Sequence, residues 1–170
     1  MFIAGGSLGS MLLVRCTNPG AEPPDLSEFR PVECPRVPIG VLGDLAEGVP
    51  FDFEYPEAGV ECFAVKLGRG AQDGIGPEED VVAYSYLCTH MGCSLRETYN
   101  HEHAVLGPCA CHFSTFSLAH RGMVVLGQAT QNLVRVQLET EDGMLYATGF
   151  EGVLYGELGN RCCDDPGSET

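Results

Sequence analysis

CTHMGC at residues 88–93 and CACHFS at residues 109–114 decide how this chain is interpreted. Each stretch combines a cysteine and a histidine at close spacing, namely Cys88 with His90 and Cys109 with His112. Such a spacing places one sulfur and one ring nitrogen on a tight loop, so two facing loops could grip a flat two-metal unit. Both stretches also have the small residues that tight loops need, Gly92 in the first and Gly107 before the second.

Two thiolates and two imidazoles form the ligand set of a Rieske 2Fe-2S cluster. In that cluster one iron takes the cysteines and the other takes the histidines, which raises the reduction potential well above that of an all-cysteine ferredoxin. We therefore predict one such cluster, with Cys88 and Cys109 on the first iron and His90 and His112 on the second. The predicted function is electron transfer.

Two further cysteines, Cys93 and Cys111, remain after ligation. We interpret them as a disulfide that ties the two loops together over the cluster. The loop that this bond closes is short, so chain entropy predicts a stabilisation of roughly 3 kcal/mol.

The competing interpretation of the same motifs is a zinc site, because mixed cysteine and histidine sets also bind zinc. A tetrahedral site needs four ligands, whereas the two stretches offer six sulfur or nitrogen groups. Six candidates fit a cluster with a bridging disulfide better than they fit a zinc ion.

The composition is that of one globular domain with a terminal arm. The chain has 170 residues, of which 44% are hydrophobic. The net charge of −15 argues against binding to nucleic acid or to anionic membranes and suits a basic electron-transfer partner. Nine cysteines, with one predicted disulfide, indicate an oxidising compartment such as the periplasm.

The N-terminal residues differ from the rest. Residues 1–14 are uncharged but too few for the roughly 20 apolar residues of a membrane-spanning helix. They are typical of an export signal of twin-arginine type whose start is missing, or of a short hydrophobic anchor or a partner-binding arm. Residues 18–38 are rich in proline and predict an extended arm. The predicted organisation is a signal or anchor with an arm (1–38), the Rieske domain (39–160) and an acidic tail (161–170).

Short strands fill the rest of the pattern. Residues 51–55 and 134–139 alternate apolar and polar side chains, and residues 141–143 predict a hairpin turn. Residues 60–67, 81–87, 123–126 and 144–148 also predict strands. We expect an all-β Rieske fold: an antiparallel sandwich or barrel base with a cluster-binding subdomain inserted at about residues 87–131.

Residues 76–85, the motif at 88–93 and residues 127–133 together resemble the Rieske small subunit of arsenite oxidase, and the resemblance extends over 39–156. It implies a periplasmic heterodimer in which a large molybdopterin and iron-sulfur subunit oxidises arsenite. The small subunit would pass electrons to a cytochrome c or a small copper protein.

The chain departs from that family at two positions, with Ala110 and Val134 where proline is usual, and in its tail. The small subunit of iodate reductase is similar enough to be the alternative, with electron flow reversed. A Rieske ferredoxin of another system and a zinc-binding module are further alternatives.

Two positions after the second motif are predicted to tune the cluster. Ser114 matches the serine that donates a hydrogen bond to the cluster sulfur in Rieske proteins. Phe116 stands where respiratory Rieske proteins often carry a tyrosine that donates another. Such bonds stabilise the reduced cluster, so the phenylalanine predicts a lower potential than in those proteins.

Several other cysteines and histidines are not predicted to bind a metal. Cys34 and Cys62 could pair with each other or remain free, and Cys62 is most simply a core residue. Three histidines are predicted to be surface groups: His101, His103 and His120. The pair Cys162 and Cys163 is given no role.

Overall fold

Two antiparallel sheets account for the strands in the computed structural model, which describes residues 34–56 and 59–156. The predicted signal or anchor, most of the proline-rich arm and the acidic tail lie outside these residues. The strands are β1 (Val37–Val41), β2 (Phe51–Tyr55), β3 (Val60–Lys66), β4 (Val81–Ser85), β5 (Tyr99–Asn100), β6 (Val105–Leu106), β7 (Thr115–Ser117), β8 (Met123–Leu126), β9 (Arg135–Glu141) and β10 (Met144–Glu151). Single 3₁₀ turns occur at Leu42–Asp44 and Leu118–His120.

The larger sheet has the strand order β1-β10-β9-β4-β3-β2 and forms the base. Strands β4 and β9 are neighbours in it, with Ala83 opposite Val136. The chain between them leaves the base and builds the smaller sheet, β5-β6-β7-β8, before returning. The predicted all-β fold with an inserted subdomain is therefore confirmed.

Strand β3 is buried on both faces because a separate hydrophobic core packs on each of them. Phe63 and Val65 pack towards the inserted subdomain, whereas Cys62 and Ala64 pack into a second core on the opposite face. This division follows from the alternation of side chains along a strand. The first core also includes Cys88 and Cys109, so the base sheet supports the two motif stretches directly.

The β9–β10 hairpin turns as its sequence predicts. Asp142 and Gly143 both have positive φ, 51° and 80°. A two-residue turn with positive φ at both positions matches the twist of the strands that it joins. Strand β1 pairs with β10 and begins at Val37, two residues before the predicted domain start at 39.

Polar contacts fix the inserted subdomain on the base. The buried Tyr84 hydroxyl of β4 donates to the Leu118 carbonyl of the subdomain at 2.7 Å. Arg121 of the subdomain forms ion pairs with Asp73 and Glu151 of the base. Within the described ranges, no helix is long and apolar enough to cross a membrane.

Candidate metal centre

The two motif stretches fold into loops of the same design, called here the first ligand loop (88–93) and the second ligand loop (109–114). In the first, the Cys88 N–H donates to the Cys93 carbonyl at 2.9 Å, and the Gly92 N–H donates back to the Cys88 carbonyl at 2.8 Å. The second loop repeats both bonds at the same spacing, with Cys109, Ser114 and Phe113 in the corresponding places. The two ligand loops therefore have the same backbone hydrogen bonds, and each carries one candidate cysteine ligand and one candidate histidine ligand.

The disulfide predicted between Cys93 and Cys111 joins the loops, with 6.6 Å between the Cα atoms. The Cys109 sulfur lies within 4.8 Å of both bridged sulfurs. Because bridged sulfurs are poor ligands, Cys109 is the member of this trio that can bind metal. The disulfide thus leaves one available thiol in each loop.

The four predicted ligand residues converge. Cys88 and Cys109 are both 1% exposed and share one core, and their thiols are close enough to interact. The rings of His90 and His112 lie edge to face with 4.7 Å between centroids. The His90 Nδ1 atom is buried and has no hydrogen-bond partner in the described residues. A metal bound at this nitrogen would satisfy it, and the buried Cys88 thiol lies two residues away in the same loop.

The site has a protected side and an exposed side. Both cysteines are buried, while His90 is half-buried and His112 is exposed. Burial raises the pKa of the Cys88 thiol, which disfavours a free thiolate in this apolar place. A positive metal centre would supply the compensating charge. Electrons would enter or leave through the histidine side.

The predicted tuning residues lie inside this site. Ser114 is fully buried. Burial of Cys88 raises the pKa of its thiol, and the Ser114 side chain acts in the opposite direction and lowers it. Phe116 is also fully buried, in the core that contains both candidate thiols. Both residues are therefore buried, and Phe116 belongs to the core that also includes the two candidate thiols.

We expect Phe116→Tyr to raise the midpoint potential by roughly 20–60 mV, because one added hydrogen bond contributes about 0.5–1.5 kcal/mol and favours the reduced state. Film voltammetry on the cluster-loaded variant measures it. Phe63→Tyr is the matched control, since Phe63 is an equally buried phenylalanine of the same core that stacks on Tyr86. A fall, or an equal rise in the control, contradicts the tuning role.

Two contacts at the site were missed by sequence reasoning. The Thr89 hydroxyl, between two candidate ligands, donates to the Gln131 carbonyl at 2.8 Å. The ring of Tyr155 lies so close to Gly92 that a Cβ there would come within 2.6 Å of its Cδ1. Residues 127–133, the third loop, and residues 152–156 therefore flank the first ligand loop. Both contacts join residues that are distant in sequence, so no local sequence pattern predicts them.

Four segments that form or flank the ligand loops contain no charged residue. Residues 88–95, 107–119, 122–134 and 152–156 contain no Asp, Glu, Lys or Arg, although 19% of the chain is charged. Large apolar side chains are exposed there, with Met91 at 53%, Phe113 at 67% and Leu126 at 62%. We call this surface the uncharged tip. The sequence shows that each of these segments is uncharged, but only the fold shows that they lie near the same two loops.

Within residues 34–56 and 59–156, the remaining cysteines and histidines do not join the centre. Cys62 is a free buried thiol of β3, and burial raises its pKa to about 12. Cys34 is disulfide-bonded, so the two do not pair with each other. The three other histidines are exposed, and the rings of two of them make local hydrogen bonds. These are His101 with Tyr99, and His120 with Ser117.

Several known proteins are similar to this chain in sequence or in fold. The Rieske [2Fe-2S] domain family matches residues 36–147. The chain is 40% identical over 159 residues to the iodate reductase subunit IdrB of Denitromonas iodatirespirans, covering 94% of this chain and 83% of that protein. It is 46% identical over 121 residues to IdrB of a Pseudomonas species (strain SCT), covering 71% of this chain and 63% of that one.

Among solved structures, the soluble domain of Rieske protein II (soxF) from Sulfolobus acidocaldarius is similar, with a TM-score of 0.65 and 23% identity. The match covers 73% of this chain and 82% of that one, and it supports the fold. The family match, the relatives and the convergence of two thiols with two imidazoles agree. The chain belongs to the Rieske [2Fe-2S] domain family, and its cofactor is one Rieske 2Fe-2S cluster.

Proposed function

We propose that this chain is the electron-transfer subunit of a molybdenum oxidoreductase of the iodate reductase type. Two relatives at 40% and 46% identity are both iodate reductase subunits. They favour the alternative of the sequence analysis over its main expectation, arsenite oxidase. The resemblance to the arsenite oxidase small subunit reflects the shared role of a Rieske subunit beside a large molybdopterin subunit.

We assign Cys88 and Cys109 as the residues that would hold one iron, and His90 and His112 as the residues that would hold the other. The cluster, when bound, supplies one-electron chemistry at a potential above that of plant-type ferredoxins. The buried cysteine side excludes water from the inner half of the site. The two histidines bring the outer half to the surface, where a partner can exchange electrons over a short distance.

The uncharged tip is the surface that supports docking of the large subunit. Phe113, which follows His112 in the second ligand loop, and Leu126 are each more than 60% exposed, and an exposed apolar patch of this kind marks a protein interface. The rest of the chain carries the net charge of −15, which suits a basic electron donor such as a cytochrome c or a small copper protein. Electrons would then pass from that donor to the large subunit.

An oxidising compartment, the periplasm, is proposed for the location. The Cys93–Cys111 disulfide supports it, because stable disulfides are rare where thiol-reducing systems operate. The domain boundaries proposed from the sequence, including an N-terminal export signal or anchor and an acidic tail, fit such a subunit.

The identity of the substrate is tested on the whole complex. An affinity tag on this chain allows the complex to be purified from its native host. The Rieske cluster is first reduced with a limited amount of dithionite and followed by its visible absorbance and its electron paramagnetic resonance signal. We expect iodate to reoxidise the cluster. In a separate oxidised sample, reduction of the cluster by arsenite would overturn the assignment in favour of arsenite oxidase. No response to either anion would overturn the iodate assignment as well.

Phe113→Gly should weaken docking of the large subunit at least tenfold in Kd. It removes an exposed phenyl ring whose burial is worth about 1.5–3 kcal/mol, and glycine readily adopts the φ of 60° found there. Titration of the cluster-loaded chain against the large subunit measures the change. Phe51→Ser is the matched control, since Phe51 is 39% exposed on the base sheet. Equal loss in both variants would place the docking surface elsewhere.

A further inference from the structure

The hydroxyl of Ser114 is held by two backbone amides from the third loop. The Gln128 N–H donates to the Ser114 oxygen at 3.1 Å, and the Ala129 N–H donates to it at 3.0 Å. A serine hydroxyl has two acceptor lone pairs and one hydrogen. Both lone pairs are therefore used, and only the hydrogen remains to make a further bond.

The direction of that hydrogen is then determined. The two amides occupy two of the positions around the oxygen, so the hydrogen must point away from the third loop. The Ser114 side chain also lies within hydrogen-bonding reach of the Cys88 thiol. Amides that donate to the oxygen also polarise its O–H bond and make it a stronger donor.

The close approach of the third loop depends on Gly127. A Cβ on this residue would lie 2.3 Å from the Ser114 Cα, and its φ is +98°. From the other side, a Cβ on Gly107 would lie 2.7 Å from the Ser114 carbonyl oxygen. Two glycines thus let backbone close on Ser114 from both sides, and the serine is completely buried.

We propose that the amides of Gln128 and Ala129 are positioning groups that aim the Ser114 hydroxyl at the cluster and thereby raise its potential. This inference rests on the cluster assignment, not on the identity of the large subunit. It makes the third loop part of the redox-tuning apparatus, although none of its residues is a predicted ligand. A loop movement that broke these two bonds would lower the potential.

The test compares Gln128→Pro with Gln128→Ala. Both remove the glutamine side chain, but only proline removes the N–H. We expect the proline variant to have the lower midpoint potential, with the equilibrium for reduction shifted by up to about tenfold, equivalent to 59 mV for one electron. In a Ser114→Ala background, which lacks the hydroxyl, the two variants should have the same potential. Equal potentials with Ser114 present, or an undiminished difference without it, would overturn the proposal.

A second measurement is independent of the proline variant and of its folding. Hydrogen–deuterium exchange of the peptide that spans residues 127–133 is followed in the wild-type and Ser114→Ala proteins, both loaded with cluster. We expect two amides to exchange faster in the variant, because their acceptor is gone. Unchanged exchange would show that the serine oxygen does not hold these amides. Metal analysis and the paramagnetic signal of each sample verify the cluster separately, so failure of the cluster assignment would be recognised as such.

Discussion

Cys109→Ala should abolish the cluster, lowering the iron content from about two ions per chain to none and removing the paramagnetic signal of the reduced protein. Cys109 is 1% exposed and belongs to the core beneath the two ligand loops. Alanine there cannot bind iron, and no other free thiol of the described residues lies in the second ligand loop. Iron, zinc and acid-labile sulfide counted on one sample, with the resonance spectrum, measure the outcome.

Cys62→Ala is the control for this experiment. Cys62 is a free cysteine buried as completely as Cys109, but it lies in the second core on the opposite face of the base sheet. Its removal costs packing energy and should leave the iron content and the spectrum unchanged. A Cys109→Ala protein that still held iron and sulfide would overturn the ligand assignment, and a wild type with zinc and no sulfide would overturn the cluster itself.

Removal of the disulfide by Cys93→Ser with Cys111→Ser should lower the stability by about 3 kcal/mol and the thermal midpoint by roughly 10 °C. The bond spans 18 residues and joins the two ligand loops, so its loss frees the loops to separate in the unfolded chain and in the native protein. The paired substitution is preferred because a single one would leave a free thiol beside the cluster. Calorimetry and the rate of cluster bleaching measure the two effects.

The disulfide is expected to affect retention of the cluster and not its loading. The double serine variant should load cluster, because all four proposed ligands remain, but should lose it faster on warming or on exposure to air. An unchanged thermal midpoint together with an unchanged bleaching rate would contradict the structural role of the bridge. Failure to load any cluster would mean that the bridge is needed to form the site.

Much of the fold followed from local sequence. Strands β2, β3 and β8 and the β9–β10 hairpin were predicted close to their observed bounds, because alternation of side chains and a positive-φ turn are local properties. The strands β5, β6 and β7 were not predicted. Each has only two or three residues, and so short a strand has no period to detect.

The assignment within the family could not be made from the cluster motifs. Those motifs are determined by the ligands that a Rieske cluster needs, so they do not depend on the reaction that the cluster serves. The resemblance in residues 76–85 and 127–133 suggested arsenite oxidase, whereas the two relatives matched over 159 and 121 residues are iodate reductase subunits.

The sequence by itself determined the cofactor, its four candidate ligands and the pair that bridges the loops, because these depend on residue types at fixed short spacings. Only the tertiary structure decided what surrounds them. The bonds from Gln128 and Ala129 to Ser114, the contact of Tyr155 with Gly92 and the single uncharged tip join segments that are far apart in the chain. Their proximity arises from two sheets packing on a shared core, which is a property of the whole fold.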